Sequence, residues 1–218
     1  KFFKLQLLRS TFLFFATYFF FTSLKYLQLV QVNAIFQVAP IFVTLLSAFV
    51  LKEYINIKRW GGVIIGMLGA LLIIRPGSEV FSINIILPAI AALCYASYVI
   101  STRFLSQEES ATTNFIYSSL IGSILASILV IPSWISIDPT DIFVFSGFGL
   151  LGALGHLFLI NAFRMSEASF LAPFNYLNLV FGTIWGFYIF DEIPGFFTIT
   201  GSLVIVSSGI YIWIKDKK

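Results

Sequence analysis

Charged residues are so sparse along this chain that the uncharged intervals between them set out its organisation. Eight such runs lie between Arg9 and Lys25, Lys25 and Lys52, Arg59 and Arg75, Glu79 and Arg103, Glu109 and Asp138, Asp141 and Arg164, Glu167 and Asp191, and Glu192 and Lys215. About 20 residues of α-helix cross the roughly 30 Å hydrocarbon core of a bilayer. Six of the runs exceed that length and two fall somewhat short, so eight spanning helices are predicted. The two short runs are flanked by Arg and Lys, whose long side chains reach back to the headgroups and lengthen the effective span. Transmembrane strands would alternate polar and apolar positions, and these runs do not.

Composition agrees with lipid as the solvent. Of 218 residues 59% are hydrophobic and only 11% charged, 18% are aromatic with 26 Phe, and the mean hydropathy is +0.97. A soluble globule of this size could not cover so much apolar surface. Secreted disulfide scaffolds, disordered tails and cytosolic Rossmann enzymes are thereby set aside. Cys94 is the sole cysteine and His156 the sole histidine, so neither a disulfide, a metal cluster nor a cofactor is expected. The net charge of +3 resides at the ends of apolar runs, where basic residues act as topology signals and not as nucleic-acid contacts.

Basic loops are retained in the cytoplasm. Lys1, Lys4, Arg9, Lys52, Lys58, Arg59, Arg103, Arg164, Lys215, Lys217 and Lys218 fall on one side of the predicted spans, and only Lys25 and Arg75 on the other. Both ends of the chain are therefore expected in the cytoplasm, in a multi-pass protein of a bacterial inner (plasma) membrane.

A fixed offset of 139 in residue number (192 minus 53) pairs Glu53 with Glu192, Lys25 with Arg164, Thr44 with Thr183 and Gly62 with Gly201. The first glutamate lies on the basic side and the second on the other, so the two units have opposite orientations, as in inverted-repeat carriers. Residues 78–218 hold five predicted spans and residues 1–77 hold three. Moving the start of the second unit, near Ser82, back by 139 gives −57, so two further spans are expected ahead of Lys1. The expected architecture is all-α: eight of ten transmembrane helices in two inverted five-helix repeats.

The segment VAPIFVTLLSAFVLKEYINIKRWGGVIIGMLGALLIIRPG, Val38 to Gly77, and its counterpart from Ala168 to Trp213 share one order: a proline-bearing helix, a terminal glutamate and a glycine-spaced closing helix. This pattern resembles the drug/metabolite transporter superfamily of EamA type. The resemblance implies ten helices in two inverted repeats, with 1–77 as the last three helices of the first repeat and 78–218 as the complete second. Gly155 to Val180 is similar to the branch that takes up S-adenosylmethionine or riboflavin.

Gly147-Phe148-Gly149-Leu150-Leu151-Gly152 matches the dinucleotide fingerprint by letter, but it lies inside an apolar run with no strand before it. Its glycines, Gly152 among them, are expected to let helices approach, as are Gly62, Gly66 and Gly69 and their counterpart Gly201. No catalytic set is present: HExxH needs two histidines, and GxSxG does not occur. An intramembrane enzyme has nothing to work with, and the alternatives to a carrier are a channel or a structural membrane protein.

Candidate substrate contacts come from polar residues that lipid would penalise. Asn33, Gln37, Pro40, Thr44 and Ser47 recur at steps of 4, 3, 4 and 3, one face of the second span. The other unit offers Asn175, Tyr176, Asn178, Thr183 and Gly186, with Tyr95, Tyr98 and Asn161, and also Tyr18 and Thr22, on neighbouring spans. His156 reads as the only ionisable side chain well inside a span. It is equally consistent with a substrate or proton site and with a neutral imidazole bonded to a neighbouring helix. Glu53 and Glu192 are expected to cap the following helix or to pair with neighbours such as Lys58 and Arg59. Trp134 and Trp213 suit interface anchors. The partners expected are a small-molecule substrate and the bilayer.

The charge partition yields a direct test. Cysteines placed at Asn56 and Gly195 in a Cys94-free background should react with an impermeant reagent from opposite sides of the membrane. Equal labelling from one side would remove the inverted orientation.

Overall fold

The computed structural model describes residues 2–27, 29–74, 86–136, 138–190 and 195–216, and every regular element among them is helical. α1 (Phe3–Ser23), α4 (Ile57–Ile74), α5 (Ile86–Glu108), α6 (Ala111–Val130), α7 (Asp141–Met165) and α10 (Phe196–Asp216) are continuous. Within these stretches an apolar chain closes its own backbone hydrogen bonds, which lipid cannot replace. Four of them, α1, α5, α6 and α7, are long and apolar enough to cross a membrane.

The two proline-bearing runs are broken instead of continuous. The first becomes α2 (Leu29–Phe36) and α3 (Ala39–Leu46), which runs on into a π-helical turn at Ser47–Leu51. The second becomes α8 (Ala168–Leu171), a 3₁₀ segment (Ala172–Tyr176) and α9 (Leu177–Phe190). Pro40 and Pro173 lack the N–H that would continue the ladder, and their rings collide with the preceding turn, so each sits in the first turn of a new segment. The π-helical turn ends at Lys52, whose φ of 56° is left-handed and turns the chain out of the helix.

Loop chemistry fixes the other ends. Ser110 Oγ accepts the Thr113 N–H at 3.1 Å and caps α6. Ahead of α7, Asp138 Oδ1 accepts the Thr140 N–H (2.9 Å) and hydroxyl (2.7 Å). Those two donors hold the exposed Asp138 carboxyl below its ordinary range.

Glu53 does not serve its own neighbourhood as the sequence suggested. Its carboxylate accepts the N–H groups of Ala168 and Ser169, each at 3.0 Å, and so caps α8 from a distant part of the chain. Arg103 stands 3.6 Å from the same carboxylate and donates to the carbonyl of Phe163 (2.8 Å) at the end of α7. Arg59 pairs with Glu167 and reaches Ser169 Oγ at 2.7 Å. The local cap of α4 is Asn56, whose Oδ1 accepts the Lys58 N–H at 3.2 Å. The difference is one of reach: the π-helical turn carries Glu53 toward the α7–α8 junction, where free amides are waiting. Glu192 lies outside the described residues.

Glycine contacts join α4 to α10 and to the 3₁₀ segment that ends at Tyr176. A Cβ built on Gly69 would lie 2.9 Å from the Gly201 carbonyl, and one on Gly66 would run into the Tyr176 ring. The Gly62 carbonyl accepts the Ser208 hydroxyl at 2.6 Å. Gly152 behaves otherwise: among the described residues nothing comes within 4 Å of a Cβ placed there, nor at Gly147, Gly149 or Gly155. The same residue type sits at a helix seam in one place and on an open face in the other.

Gly66→Ala should therefore cost about 1–3 kcal/mol, because the Tyr176 ring is tethered and cannot retreat. Gly61→Ala, with nothing within 4 Å, should be neutral or stabilise by up to about 1 kcal/mol through helix propensity. Thermal unfolding of the two purified variants in one detergent checks the contrast.

Candidate functional site

α5 lies at the centre of the polar interior. Its Tyr95, Tyr98 and Thr102 follow one another at steps of 3 and 4, which places them on one face. Tyr98 is fully buried, and its hydroxyl lies 3.0 Å from His156 Nε2 on α7, with the two rings stacked at 5.5 Å. Tyr95 donates to Asn175 Oδ1 at 2.9 Å in the 3₁₀ segment, while Asn175 Nδ2 donates to the Ala172 carbonyl at 3.1 Å. The proline break makes that contact possible, since it turns Asn175 out of a regular helix.

The rings extend beyond this pair. Phe20 meets Phe36, Phe36 meets Tyr95, Tyr95 meets Tyr98, Tyr98 meets His156 and His156 meets Phe115, with successive centroids 5.4–6.2 Å apart. A line of aromatic faces with amide and hydroxyl groups on its flank suits a flat solute, because rings stack and the polar edge supplies hydrogen bonds.

Beneath Tyr98 lies a group that the sequence places elsewhere. Arg9 was expected to bound the first span and reach the headgroups, but α1 begins at Phe3 and Arg9 is fully buried nearly two turns inside it. Its guanidinium sits 5.5 Å from the centroid of the Tyr98 ring. It donates to Thr102 Oγ1 (3.3 Å), to Ser118 Oγ (2.7 Å) and to the Asn114 carbonyl. Gln6 Nε2 donates to Asn114 Oδ1 and to Glu109 Oε2, both at 2.5 Å. His156 is thus not the only ionisable group inside a span. Spacing held the missed signal: Gln6 and Ser10, Thr102 and Ser106, and Asn114 and Ser118 are polar pairs at i and i+4 on three helices.

The remaining candidates divide. Gln37, Thr44 and Ser47 are buried, so the polar stripe of the second span faces protein, with Asn33 half-buried at its start. The hydroxyls of Thr44 and Ser47 are turned back onto the carbonyls of Pro40 (2.8 Å) and Thr44 (2.9 Å). Tyr176 is fully buried away from the histidine, with its hydroxyl donating to the Val63 carbonyl at 3.1 Å. Asn161 is exposed and donates to its own helix at Leu157 (2.9 Å), and Asn178 is exposed on α9. Neither is brought to the cluster. Tyr18 is exposed and Thr22 half-buried, while Trp134 is exposed just beyond the end of α6. The side chains of Thr183, Gly186 and Trp213 lie outside the described residues.

Along its length the chain matches the EamA-like transporter family, over residues 2–75 and 82–214. The chain belongs to that family. EamA-like proteins are named for transport and not for catalysis. The S-adenosylmethionine uptake transporter of Rickettsia conorii (strain ATCC VR-613 / Malish 7) is 28% identical over 179 residues, covering 82% of this chain and 61% of that protein. The riboflavin transporter of Vibrio cholerae serotype O1 is 28% identical over 180 residues, covering 82% and 60%. The pseudopaline exporter of Pseudomonas aeruginosa (strain UCBPP-PA14) is 26% identical over 193 residues, covering 86% and 66%. The chain thus spans about three-fifths of the length of the first of these relatives. One chain of known crystal structure superposes with a TM-score of 0.85 over 99% of this chain and 79% of its own length, at 16% identity, a likeness of fold.

Arg9→Ala should destabilise the protein by about 2–4 kcal/mol, since it strands buried acceptors on two other helices. Lys4→Ala, on an exposed position of the same helix, should change stability by less than about 0.5 kcal/mol. Denaturant or thermal unfolding of both variants in the same detergent measures the difference.

Proposed function

We propose that this EamA-like protein is a secondary transporter of the inner membrane. It carries a small amphipathic metabolite with a flat heteroaromatic ring by alternating access between two inverted five-helix units. Residues 1–77 belong to the first unit and 78–218 form the second, giving eight spans of ten. The observation that carries this reading is the line of rings Phe36, Tyr95, Tyr98 and His156 with Asn175 bonded at its edge, set where a proline break meets α5 and α7.

Tyr95, Tyr98 and His156 supply stacking faces, and Asn175 supplies a donor and an acceptor at the ring edge. Asn33, on the helix that brings Phe36 to Tyr95, and Gln37, in the break that follows it, add polar contacts from the first unit. The relatives named for S-adenosylmethionine and riboflavin fit this chemistry, because both solutes carry a flat nitrogen heterocycle. The helix bounds support two repeated units. α4 and α10 begin at Ile57 and Phe196, a difference of 139 in residue number, and α1 and α7 begin at Phe3 and Asp141, one short of that offset. His156 is read as a substrate contact, because its Nε2 lies 3.0 Å from the Tyr98 hydroxyl and its ring stacks on that tyrosine in the aromatic line.

S-adenosylmethionine, riboflavin and simple nucleosides, each added to the purified protein, should separate by thermal stabilisation, because a ligand that binds the folded state raises apparent stability by mass action. For the stabilising solute, Tyr95→Ala and His156→Ala should each weaken binding by about 1–3 kcal/mol. His156→Gln should transport with an unaltered pH profile. Wild-type affinity in both alanine variants would move the site elsewhere, and no stabilisation by any flat heteroaromatic solute would remove the substrate class.

A further inference from the structure

The guanidinium of Arg9 carries a charge that its immediate surroundings do not cancel. It is 0% exposed, and its hydrogen bonds run to the Thr102 and Ser118 hydroxyls and the Asn114 carbonyl, all neutral acceptors. Among the described residues its Nε finds no partner. A guanidinium keeps its proton inside a protein, so the cation persists where water cannot screen it. The carboxylates stand farther off or are engaged. At 1.5 Å per residue Glu109 is about 16 Å along α5 from Tyr98, and Asp141 about 22 Å along α7 from His156. Glu109 is bonded to Gln6, Glu53 is held by the Ala168 and Ser169 amides beside Arg103, and Glu167 is paired with Arg59. The phenols of Tyr95 and Tyr98 are neutral near pH 7, and His156 adds no negative charge in either protonation state.

This charge acts on the rings at close range. The guanidinium lies 5.5 Å from the Tyr98 centroid, which in turn lies 5.5 Å from that of His156 and 6.2 Å from that of Tyr95. All three stacking faces are therefore within two ring spacings of the cation. A cation over a tyrosine ring also occupies the electron-rich quadrupole that would otherwise attract a second one. We propose that Arg9 determines specificity by charge: it gives the aromatic line a positive potential that favours neutral or anionic flat solutes and disfavours cationic ones. The inference rests on reading that line as the solute site. Arg9 does not touch the solute but acts through Tyr98 and across the space between. At an effective dielectric of about 20, one unit charge about 10 Å from another changes an equilibrium roughly 15-fold. S-adenosylmethionine is net positive through its sulfonium and riboflavin is neutral, so of these two solutes the flavin is the better match.

The test compares ligands that differ in charge and little else. S-adenosylhomocysteine shares the adenine, the ribose and the amino-acid end of S-adenosylmethionine, and lacks one methyl group and the positive charge at sulfur. The purified protein should bind the homocysteine compound about tenfold or more tightly. The ratio of the two affinities is the readout, because a merely structural role for Arg9 would weaken both ligands alike. Arg9→Lys should keep the ratio, and Arg9→Met should bring it toward unity. Ser118→Asp places a carboxylate where a hydroxyl now lies 2.7 Å from the guanidinium, so it should cancel the charge while retaining the seam, and lower the ratio as well. If the flavin ring binds and adenine does not, riboflavin and its 5′-amino-5′-deoxy derivative form the corresponding pair. Equal or tighter binding of the cationic member by the unaltered protein overturns the inference, and so does a ratio unmoved in a folded Ser118→Asp or Arg9→Met variant. A flat solute that binds without charge preference sinks this inference alone, whereas failure of every flat solute to bind sinks the site reading and the inference with it.

Discussion

The guanidinium of Arg9 lies fully buried between three apolar helices, and much of the interior follows from that position. A buried cation is tolerated only where acceptors surround it. α5 supplies Thr102 and the face of Tyr98, and α6 supplies Ser118 and the Asn114 carbonyl. Satisfying one side chain therefore sets the register of three helices against one another. The register in turn fixes Tyr98, and through it the ring of His156. The aromatic line proposed to receive substrate is aligned from below by a polar seam that the substrate itself has no need to touch.

Much of this was legible in the order of residues, for reasons that are local. Apolar runs bounded by charge become helices because an apolar chain must close its own hydrogen bonds, and the prolines at 40 and 173 mark where those helices break. Tyr95, Tyr98, His156 and Asn175 stand among the candidates because lipid penalises polar side chains inside apolar runs, but which of the candidates meet one another is not written in their spacing. What escaped was tertiary. Arg9 stands near a chain end, where a basic residue reads as a headgroup anchor, and only the helices packed around it decide otherwise. Asn161 and Asn178 resemble Asn175 in composition, but rotation about the helix axis points them outward. The partner of Glu53 is a pair of amides in the other half of the chain, and no local rule connects them.

That long-range cap has a bearing on how the two halves are joined. Glu53 and Arg59 come from the first half, while Ala168, Ser169 and Glu167 come from the second. Arg103 adds a third tie by binding the end of α7 beside Glu53. Carboxylate-to-amide bonds at a helix start are favoured both by hydrogen bonding and by the helix dipole. Their geometry is narrow, so the α7–α8 junction is held at one angle to the first half wherever these contacts persist.

At the α4–α10 seam the constraint is of a different kind. Where Gly69 faces the Gly201 carbonyl, the separation leaves no room even for a methyl group, and the ring of Tyr176 fills the notch at Gly66. Ile205 and Val204 flank that close approach, so the two helices interlock there. Sliding one past the other by a turn would drive Ile205 or Val204 into that carbonyl-lined gap. The seam therefore resists longitudinal slip of α4 along α10, in the manner of a peg in a slot.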